Sequence, residues 1–121
     1  MCIRDSLHPT KWRRDAEPVT AEDAVWSLNR MVDPNESRPR AGLIKPYYKD
    51  SEAVDPHTVK VNTNFVAAAF GGYLGSDYMK IMPKHVYAPA PDGQGVDAND
   101  WDTIVGSGPF KMVKYLSLIH I

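Results

Sequence analysis

The most regular hydrophobic pattern in the chain lies in the segment PVTAEDAVWSLNRMVDPN. Apolar residues recur there at helical spacing and form one stripe: Val25, Leu28 and Val32. Thr20 is a favourable N-cap, and Asp23 follows it at the position that completes a capping box. Pro34 disfavours helical geometry at the residue before it, so the helix must end there. The pattern therefore predicts a helix from Ala21 to about Val32.

A second pattern alternates apolar and polar residues, which is typical of a strand with one face in solvent. In TVKVNTN the valines alternate with lysine and asparagine, and this segment follows YYKDSEAV across a turn at residues 55–57. Aspartate and proline at such a turn favour a reversal of the chain. The two segments are predicted to form a β-hairpin.

The remaining segments predict shorter elements. NESRPRAGLIKP is predicted to be a loop with one helical turn, and FVAAAFGGYL a short helix that ends near the glycine pair at 71–72. DYMKIM is predicted to be extended, and Pro83 to open a short helix through Val86. Asp97 is expected to cap another helix near residues 99–103, before GSGPFKMVKY returns as a strand. LHPTKWRRDAEP is expected to be a strand or an extended arm. This order of strands and helices, with hairpins, indicates an α+β fold.

Composition excludes several function classes. The 14 basic and 15 acidic side chains nearly balance, and they form no basic block that would attract nucleic acid or an anionic membrane. No apolar run approaches the roughly 20 residues of a membrane span. The single cysteine, Cys2, belongs to the first hexapeptide, so the rest of the chain offers neither a disulfide framework nor thiol chemistry.

No constellation of catalytic or metal-binding side chains stands out in the sequence. The histidines are scattered and lack ligand spacing: His8, His57, His85 and His120. The sequence GSGP at 106–109 lacks the length and the lysine of a phosphate-binding loop, so it is interpreted as a turn. No serine lies in a nucleophile elbow. We therefore expect no catalytic residue, no metal site and no cofactor.

The two ends of the chain, MCIRDS and LSLIHI, fit nothing between them. LSLIHI can be encoded by CTGTCTCTTATACACATC, and the complementary strand, shifted by one base, encodes the start of MCIRDS. The ends are thus compatible with one DNA element inserted in opposite orientations, and this element resembles the transposase end sequence used to prepare sequencing libraries. We interpret residues 1–6 and 116–121 as non-native, and residues 7–115 as a fragment of a longer protein.

Four stretches, in order, resemble the family 5 extracellular solute-binding proteins, which are dipeptide, oligopeptide and nickel receptors of ABC importers. KWRRDAEPVTAEDAVWSLNRMVDPN resembles the family's Trp-x-Asp-Gly-x-Pro-Val-Thr-Ala-Glu-Asp-Val segment, followed by Ser-Leu-x-Arg. AVDPHTVKVNT, KIMPKHVYA and IVGSGPFKMVKY are similar to its hairpin, its Ile-x-Pro-Lys-His segment and its Gly-Thr-Gly-Pro segment. The resemblance covers Trp12 to Tyr115, with alanine at position 16 where the family usually has glycine.

The resemblance implies a periplasmic-binding-protein-like fold of type II, with two lobes that close around a ligand. Residues 7–115 would form the small subdomain of the first lobe and the strand that re-enters this lobe. The implied function is the substrate-binding component of an ABC importer, which captures peptides or related small solutes and delivers them to the membrane permease. The resemblance further implies a monomer without catalysis and without nucleic acid. Its location would be periplasmic or otherwise extracytoplasmic, free or anchored as a lipoprotein, with the signal peptide outside this fragment.

The resemblance also indicates where a ligand would bind. In the peptide-binding members the loop after the first helix lies near the cleft, and here that loop is NESRPRAGLIKPYY. By position, Arg40 is expected to face the ligand, with Arg38, Tyr47 and Tyr48 behind it. An arginine there can pair with the carboxylate of a peptide or another anion. The alternative is that both arginines are solvated loop charges.

An alternative function is a fragment of a hydrolase or transferase whose catalytic residues lie outside this window, although it leaves the four ordered motifs unexplained. If the receptor interpretation holds, most of the cleft is missing from the chain. We then expect peptide affinity no better than roughly millimolar. We also expect apolar surface, normally covered by the missing lobe, to be exposed at Trp26, Phe65 and Phe110.

Overall fold

A computed structural model describes residues 2–6, 17–35, 39–76, 79–88, 104–108 and 110 of the chain. These residues divide into two units, one with residues 2–6, 20–35, 39–76 and 79–81, and one with residues 17–19, 82–88, 104–108 and 110. The elements follow in chain order: β1 Cys2–Ser6, α1 Ala21–Val32, α2 Ala41–Ile44, β2 Tyr48–Asp55, β3 Thr58–Thr63, α3 Ala69–Gly75 and α4 Lys84–Tyr87.

Helix α1 confirms the sequence prediction with the same bounds. Thr20 has an extended backbone, and its N–H donates to Oδ2 of Asp23 at 3.1 Å, which is half of the capping box that the two residues form. Ser27 donates its hydroxyl to the carbonyl of Asp23 at 2.7 Å. The helix ends as Asp33 leaves helical geometry ahead of Pro34. Local capping therefore suffices to explain both ends of this helix.

The predicted hairpin is also confirmed, because β2 and β3 pair antiparallel. Oδ1 of Asp55 accepts the backbone N–H of His57 at 2.9 Å, which closes the turn. The sheet has the order β1-β3-β2, so β3 is its central strand. Val59, Val61 and Thr63 are buried, and they alternate with partly exposed residues. One face of β3 thus belongs to the core, as the alternating pattern predicts.

Strand β2 contains a bulge that the sequence pattern did not reveal. Tyr48 pairs with Thr63, but the next pair joins Asp50 to the neighbouring residue of β3, so Lys49 is an extra residue. An extra residue reverses the alternation of the strand. As a consequence, Tyr48 and Ser51 lie on the same face of the sheet although they are three residues apart.

The opposite face of the hairpin carries polar cross-strand pairs. Nζ of Lys60 donates to Oε1 of Glu52 at 2.8 Å, and the Asn62 amide donates to the Asp50 carboxylate. Both pairs join directly opposed positions of the two strands. Because these side chains are partly in solvent, each pair contributes only about 0.2–1 kcal/mol. Their main consequence is to favour this register over a slipped one.

Two predicted boundaries need correction. Helix α3 does not end at residues 71–72 but runs through both glycines to Gly75, because burial of Phe70 anchors it and outweighs a glycine cost of about 1 kcal/mol each. Helix α4 begins at Lys84, with Pro83 as its N-cap and not its first residue. Residues 79–82, in the segment predicted to be extended, belong to neither a helix nor a strand. The helix predicted at 99–103, the arm at 7–16 and most of the final strand lie outside the described residues.

The core of the first unit lies between α1 and the sheet, with α2 and α3 at its edge. Eight buried residues form it: Ala21, Ala24, Leu28, Ile44, Tyr48, Val59, Val61 and Phe70. In the second unit Val19 and Val105 are buried with Val86 packed against them, and the Val105 N–H donates to the Tyr87 hydroxyl at 3.3 Å. The antiparallel sheet and separate helices agree with the predicted α+β class.

The expectation of exposed apolar surface holds in part. Phe65 is 51% exposed and Phe110 is 89% exposed, whereas Trp26 is partly buried. The Arg30 guanidinium lies 5.1 Å from the centre of the Trp26 ring, in a cation–π arrangement. None of the helices in the described part of the chain has the length and hydropathy needed to cross a lipid bilayer.

Candidate functional site

The loop predicted to contact a ligand, residues 35–48, contains one unusual backbone conformation. Arg40 has φ 65° and ψ 5°, and it is the only non-glycine residue with positive φ among the residues described. It is exposed and occupies the N-cap of α2, while Ala41 and Ile44 of this one-turn helix are buried. The left-handed conformation costs an arginine about 1–2 kcal/mol. Burial of the two apolar residues that follow holds Arg40 in this conformation.

Tyr47 lies in the centre of an aromatic cluster formed by Tyr47, Phe65, Phe70 and Tyr73. Its ring centre is 5.2 Å from that of Phe65, 6.1 Å from that of Phe70 and 5.9 Å from that of Tyr73, and all three pairs are tilted. Such geometry is favourable between aromatic rings. Phe70 is fully buried, whereas half of Phe65 is exposed. The aromatic cluster thus extends from the core to the surface and fixes the orientation of Tyr47.

Tyr48, the next residue, has a different environment. Its side chain is buried, and its hydroxyl donates to Oδ1 of Asn29 at 2.6 Å. The same hydroxyl is 2.6 Å from Oγ of Ser51, where either oxygen can donate. Burial raises the pKa of Tyr48 above its ordinary value, a rise that the Asp50 charge reinforces and the Ser51 hydrogen bond opposes. These contacts connect α1 to β2, and they engage the Tyr48 hydroxyl in hydrogen bonds within the protein.

Asn64 holds the segment that carries the two tyrosines. Its backbone N–H donates to the carbonyl of Tyr47 at 2.9 Å. Its side-chain amide donates to the carbonyls of Pro46 and Tyr48 at 3.1 and 3.2 Å. Three hydrogen bonds from one residue therefore fix the backbone from Pro46 to Tyr48. Sequence reasoning missed this role, although an asparagine directly after a strand often bonds to nearby backbone.

The residues predicted to face a ligand thus differ in their exposure to solvent. Arg40 is exposed, Tyr47 is partly buried in the aromatic cluster, and Tyr48 is buried. Arg38 lies outside the described residues. Arg40 is the N-cap of α2, and Tyr47 lies three residues after its last residue, where the Tyr47 N–H donates to the carbonyl of Ile44 at 3.1 Å. The described part of the loop therefore contains one exposed arginine and one oriented ring.

The histidines predicted to be scattered lie in different parts of the described chain or outside it. The described residues contain no group of three or more histidine, cysteine, aspartate or glutamate side chains that could hold a metal ion. His57 belongs to the hairpin turn, where its N–H lowers the pKa of the Asp55 carboxyl. His85 lies in α4, and residues 107–108 form a bend. His8 and His120 lie outside the described residues.

Curated proteins of similar sequence bind small solutes. Heme-binding protein A of Haemophilus influenzae is 31% identical over 121 residues, which is 90% of this chain and 22% of the relative. Di/tripeptide-binding protein 1 of Pseudomonas aeruginosa is 28% identical over 119 residues, with the same coverage. The chain therefore spans about a fifth of the length of these relatives.

Solved structures of similar fold come from the same class of protein. The ABC transporter substrate-binding protein CtaP of Listeria monocytogenes matches with a TM-score of 0.78 and 29% identity, over 97% of this chain and 24% of CtaP. The periplasmic binding protein AgaA of A. tumefaciens R10, solved with agropinic acid, matches with a TM-score of 0.77 and 27% identity, over 95% of this chain and 22% of AgaA. The fold thus corresponds to part of a type II periplasmic-binding protein.

A family model described as the middle part of the bacterial extracellular solute-binding proteins of family 5 matches residues 10–117. This match includes all four stretches on which the sequence resemblance was based. The chain therefore belongs to the family 5 bacterial extracellular solute-binding proteins.

Proposed function

We propose that this chain is part of the substrate-binding component of an ABC importer, which captures a peptide or a related small solute and delivers it to permease subunits in the membrane. The family match over residues 10–117 carries this proposal. Relatives that bind heme, di- and tripeptides and agropinic acid agree with a small organic ligand. The protein works as a monomer, performs no catalysis and binds no nucleic acid.

The mechanism is a shift of population between an open and a closed arrangement of two lobes. A ligand favours the closed state only as far as it makes additional contacts there. Because the chain corresponds to 22–24% of its relatives, most of those contacts lie on the rest of the receptor. The receptor acts in the periplasm or at another extracytoplasmic site, free or as a lipoprotein whose signal peptide lies outside this sequence.

Residues 7–115 supply the small subdomain of the first lobe and the strand that re-enters this lobe, with six non-native residues at each end. The ends of the family match, at 10 and 117, support boundaries close to these. The six-residue ends are compatible with a single inserted DNA element. The genomic sequence around the reading frame tests this, because a natural start codon at Met1 and a stop after Ile121 would contradict it.

Within this segment, Arg40 is the residue that contacts an anionic group of the ligand. It is exposed, its backbone is held by the buried α2 turn, and a guanidinium pairs well with a carboxylate. Tyr47 offers a ring that the aromatic cluster orients, and Tyr48 ties the same segment to α1 from the core. Arg38 completes the set by its place in the loop.

Calorimetry tests this function in two stages. The 121-residue chain should give no measurable binding heat with micromolar dipeptides, because most of the cleft is absent. The complete receptor, expressed from the gene that contains residues 7–115, should bind its solute, and Arg40→Ala should weaken binding about tenfold, as expected for one charge-assisted hydrogen bond. Lys45→Ala is the matched control, since Lys45 is an exposed cation of the same loop.

Two results would contradict the proposal. Micromolar binding by the isolated chain would show that it holds a complete site. A complete gene with a catalytic nucleophile or metal motif, and hydrolase or transferase activity, would favour the alternative enzyme.

A further inference from the structure

An apolar cavity of about 100 Å³ borders the core of the first unit. Its floor consists of four buried residues on two elements, α1 and β3: Ala24, Leu28, Val59 and Val61. Its rim consists of three less buried residues: Leu74, Met79 and Ile81. Because Ile81 is 40% exposed, the cavity reaches from the core to the surface of this unit, and a small molecule can enter it without unfolding of the chain.

The lining of this cavity favours an apolar occupant over water. None of the described residues that line it has a polar side chain. A water molecule inside a protein needs about two to four polar partners, so a cavity of this kind holds water poorly. A void also deprives the side chains around it of van der Waals contacts. An apolar group that fills the cavity restores these contacts and leaves bulk water at the same time.

The floor and the rim of the cavity differ in regular structure. The floor is held by α1 and by β3, the central strand of the sheet. At the rim, Leu74 belongs to α3, whose seven residues include three glycines, and Met79 and Ile81 belong to neither a helix nor a strand. Glycine lowers helix propensity, and the flexible methionine side chain adapts to irregular space. The rim can therefore adjust to an occupant while the floor keeps its shape.

The volume of the cavity limits the size of its occupant. An engineered cavity of about 150 Å³ in another protein, lined by leucine, isoleucine and phenylalanine, binds benzene. A cavity of about two thirds of that volume accommodates roughly four carbon atoms instead of six. We propose that this cavity is a binding site for a compact, uncharged alkyl group of about four carbon atoms. It shares no lining residue with the loop 35–48, so the site is separate from the ligand contact of Arg40 and does not rest on the proposed function.

Methyl NMR of the full 121-residue chain tests the proposal, with pressurised isobutane as the probe. Isobutane should shift the methyl resonances of Leu28, Val59 and Val61 in a saturable manner, with a Kd in the millimolar range, as expected for burial of about four carbon atoms. Propan-2-ol is the matched polar probe, because a hydroxyl replaces one methyl group of isobutane. It should bind at least tenfold more weakly, since the described lining offers its hydroxyl no side-chain partner. The methyl groups of Val54, which is half exposed and outside the lining, are the internal control and should shift little.

Two substitutions change the volume of the cavity in opposite directions. Val61→Ile adds a methylene group to the floor and should weaken isobutane binding at least fivefold. Val54→Ile is the matched control, because it adds the same group at an exposed position, and it should leave the affinity unchanged. Met79→Ala enlarges the cavity at its rim and should strengthen the binding of benzene at least tenfold relative to the wild type. If Val61→Ile does not fold, Met79→Ala decides the matter.

Three results would overturn the proposal. Methyl shifts that are absent, or equally large at Val54 and at the lining residues, would show that isobutane has no site in the cavity. Equal affinities for isobutane and propan-2-ol would show that the site is not apolar. An isobutane affinity that Val61→Ile leaves unchanged, or a benzene affinity that Met79→Ala leaves unchanged, would place the binding elsewhere. None of these measurements involves the transported solute, so they test the cavity separately from the function.

Discussion

The hydroxyl of Tyr48 is expected to stabilise the fold in a way that its neighbour Tyr47 does not. Tyr48→Phe keeps the buried ring and creates no cavity, but it removes the contacts to Asn29 and Ser51, both at 2.6 Å. A net hydrogen bond is worth about 0.5–1.5 kcal/mol, so the loss should be about 1–2 kcal/mol. For a domain of this size that lowers Tm by roughly 4–15 °C.

Urea unfolding followed by circular dichroism measures this difference, with Tyr47→Phe as the matched control. Tyr47 contributes a ring to the aromatic cluster, and this substitution preserves the ring. The control should therefore change the free energy of unfolding by less than about 0.5 kcal/mol. Equal effects of the two substitutions would refute the reasoning, because the contacts to Asn29 and Ser51 would then contribute nothing to stability.

The pKa of Tyr48 adds a second observable to the same variant. Burial raises this pKa in the folded state, so the unfolded chain releases its proton first as the pH increases. The contribution of Tyr48 is then fully present below its ordinary pKa of about 10 and is lost as the pH rises towards the folded value. The stability difference between the wild type and Tyr48→Phe should shrink between pH 9 and pH 11. A constant difference across this range would contradict the assigned burial.

Three further experiments test other parts of the structure. Phe70→Ala should lower the free energy of unfolding by about 3–5 kcal/mol and abolish cooperative unfolding, because the ring is fully buried. Phe65→Ala should lower it by less than about 1 kcal/mol, because half of this side chain is exposed, and it should reduce the binding of a hydrophobic dye. Val61→Ile should stabilise the fold by up to about 0.8 kcal/mol, because Val61 lines an apolar cavity of about 100 Å³. A loss of stability would show that the cavity cannot accept a methylene group. Arg40→Gly should be about 1 kcal/mol more stable than Arg40→Ala in chemical unfolding, since only glycine adopts φ 65° without strain, and equal stabilities would count against this backbone conformation.

The candidate site was only partly visible in the sequence. The resemblance to the family singled out the loop that contains Arg40, but the sequence did not separate the two adjacent tyrosines. Their different environments depend on the bulge at Lys49 and on partners from other elements, Asn29 for Tyr48 and Phe65 for Tyr47. Contacts between distant residues leave no periodic signal, so no reading of the loop alone could have assigned these roles.

By itself, the sequence determined the elements whose causes are local. The bounds of α1 follow from Thr20, Asp23 and Pro34, and the hairpin follows from alternation around a short turn. Only the tertiary structure decided where packing outweighs local preference. Burial of Phe70 carries α3 through two glycines, and burial of Ile44 holds Arg40 at positive φ. In both places apolar surface removed from water exceeds a backbone cost of about 1–2 kcal/mol, and that comparison requires the positions of neighbouring elements.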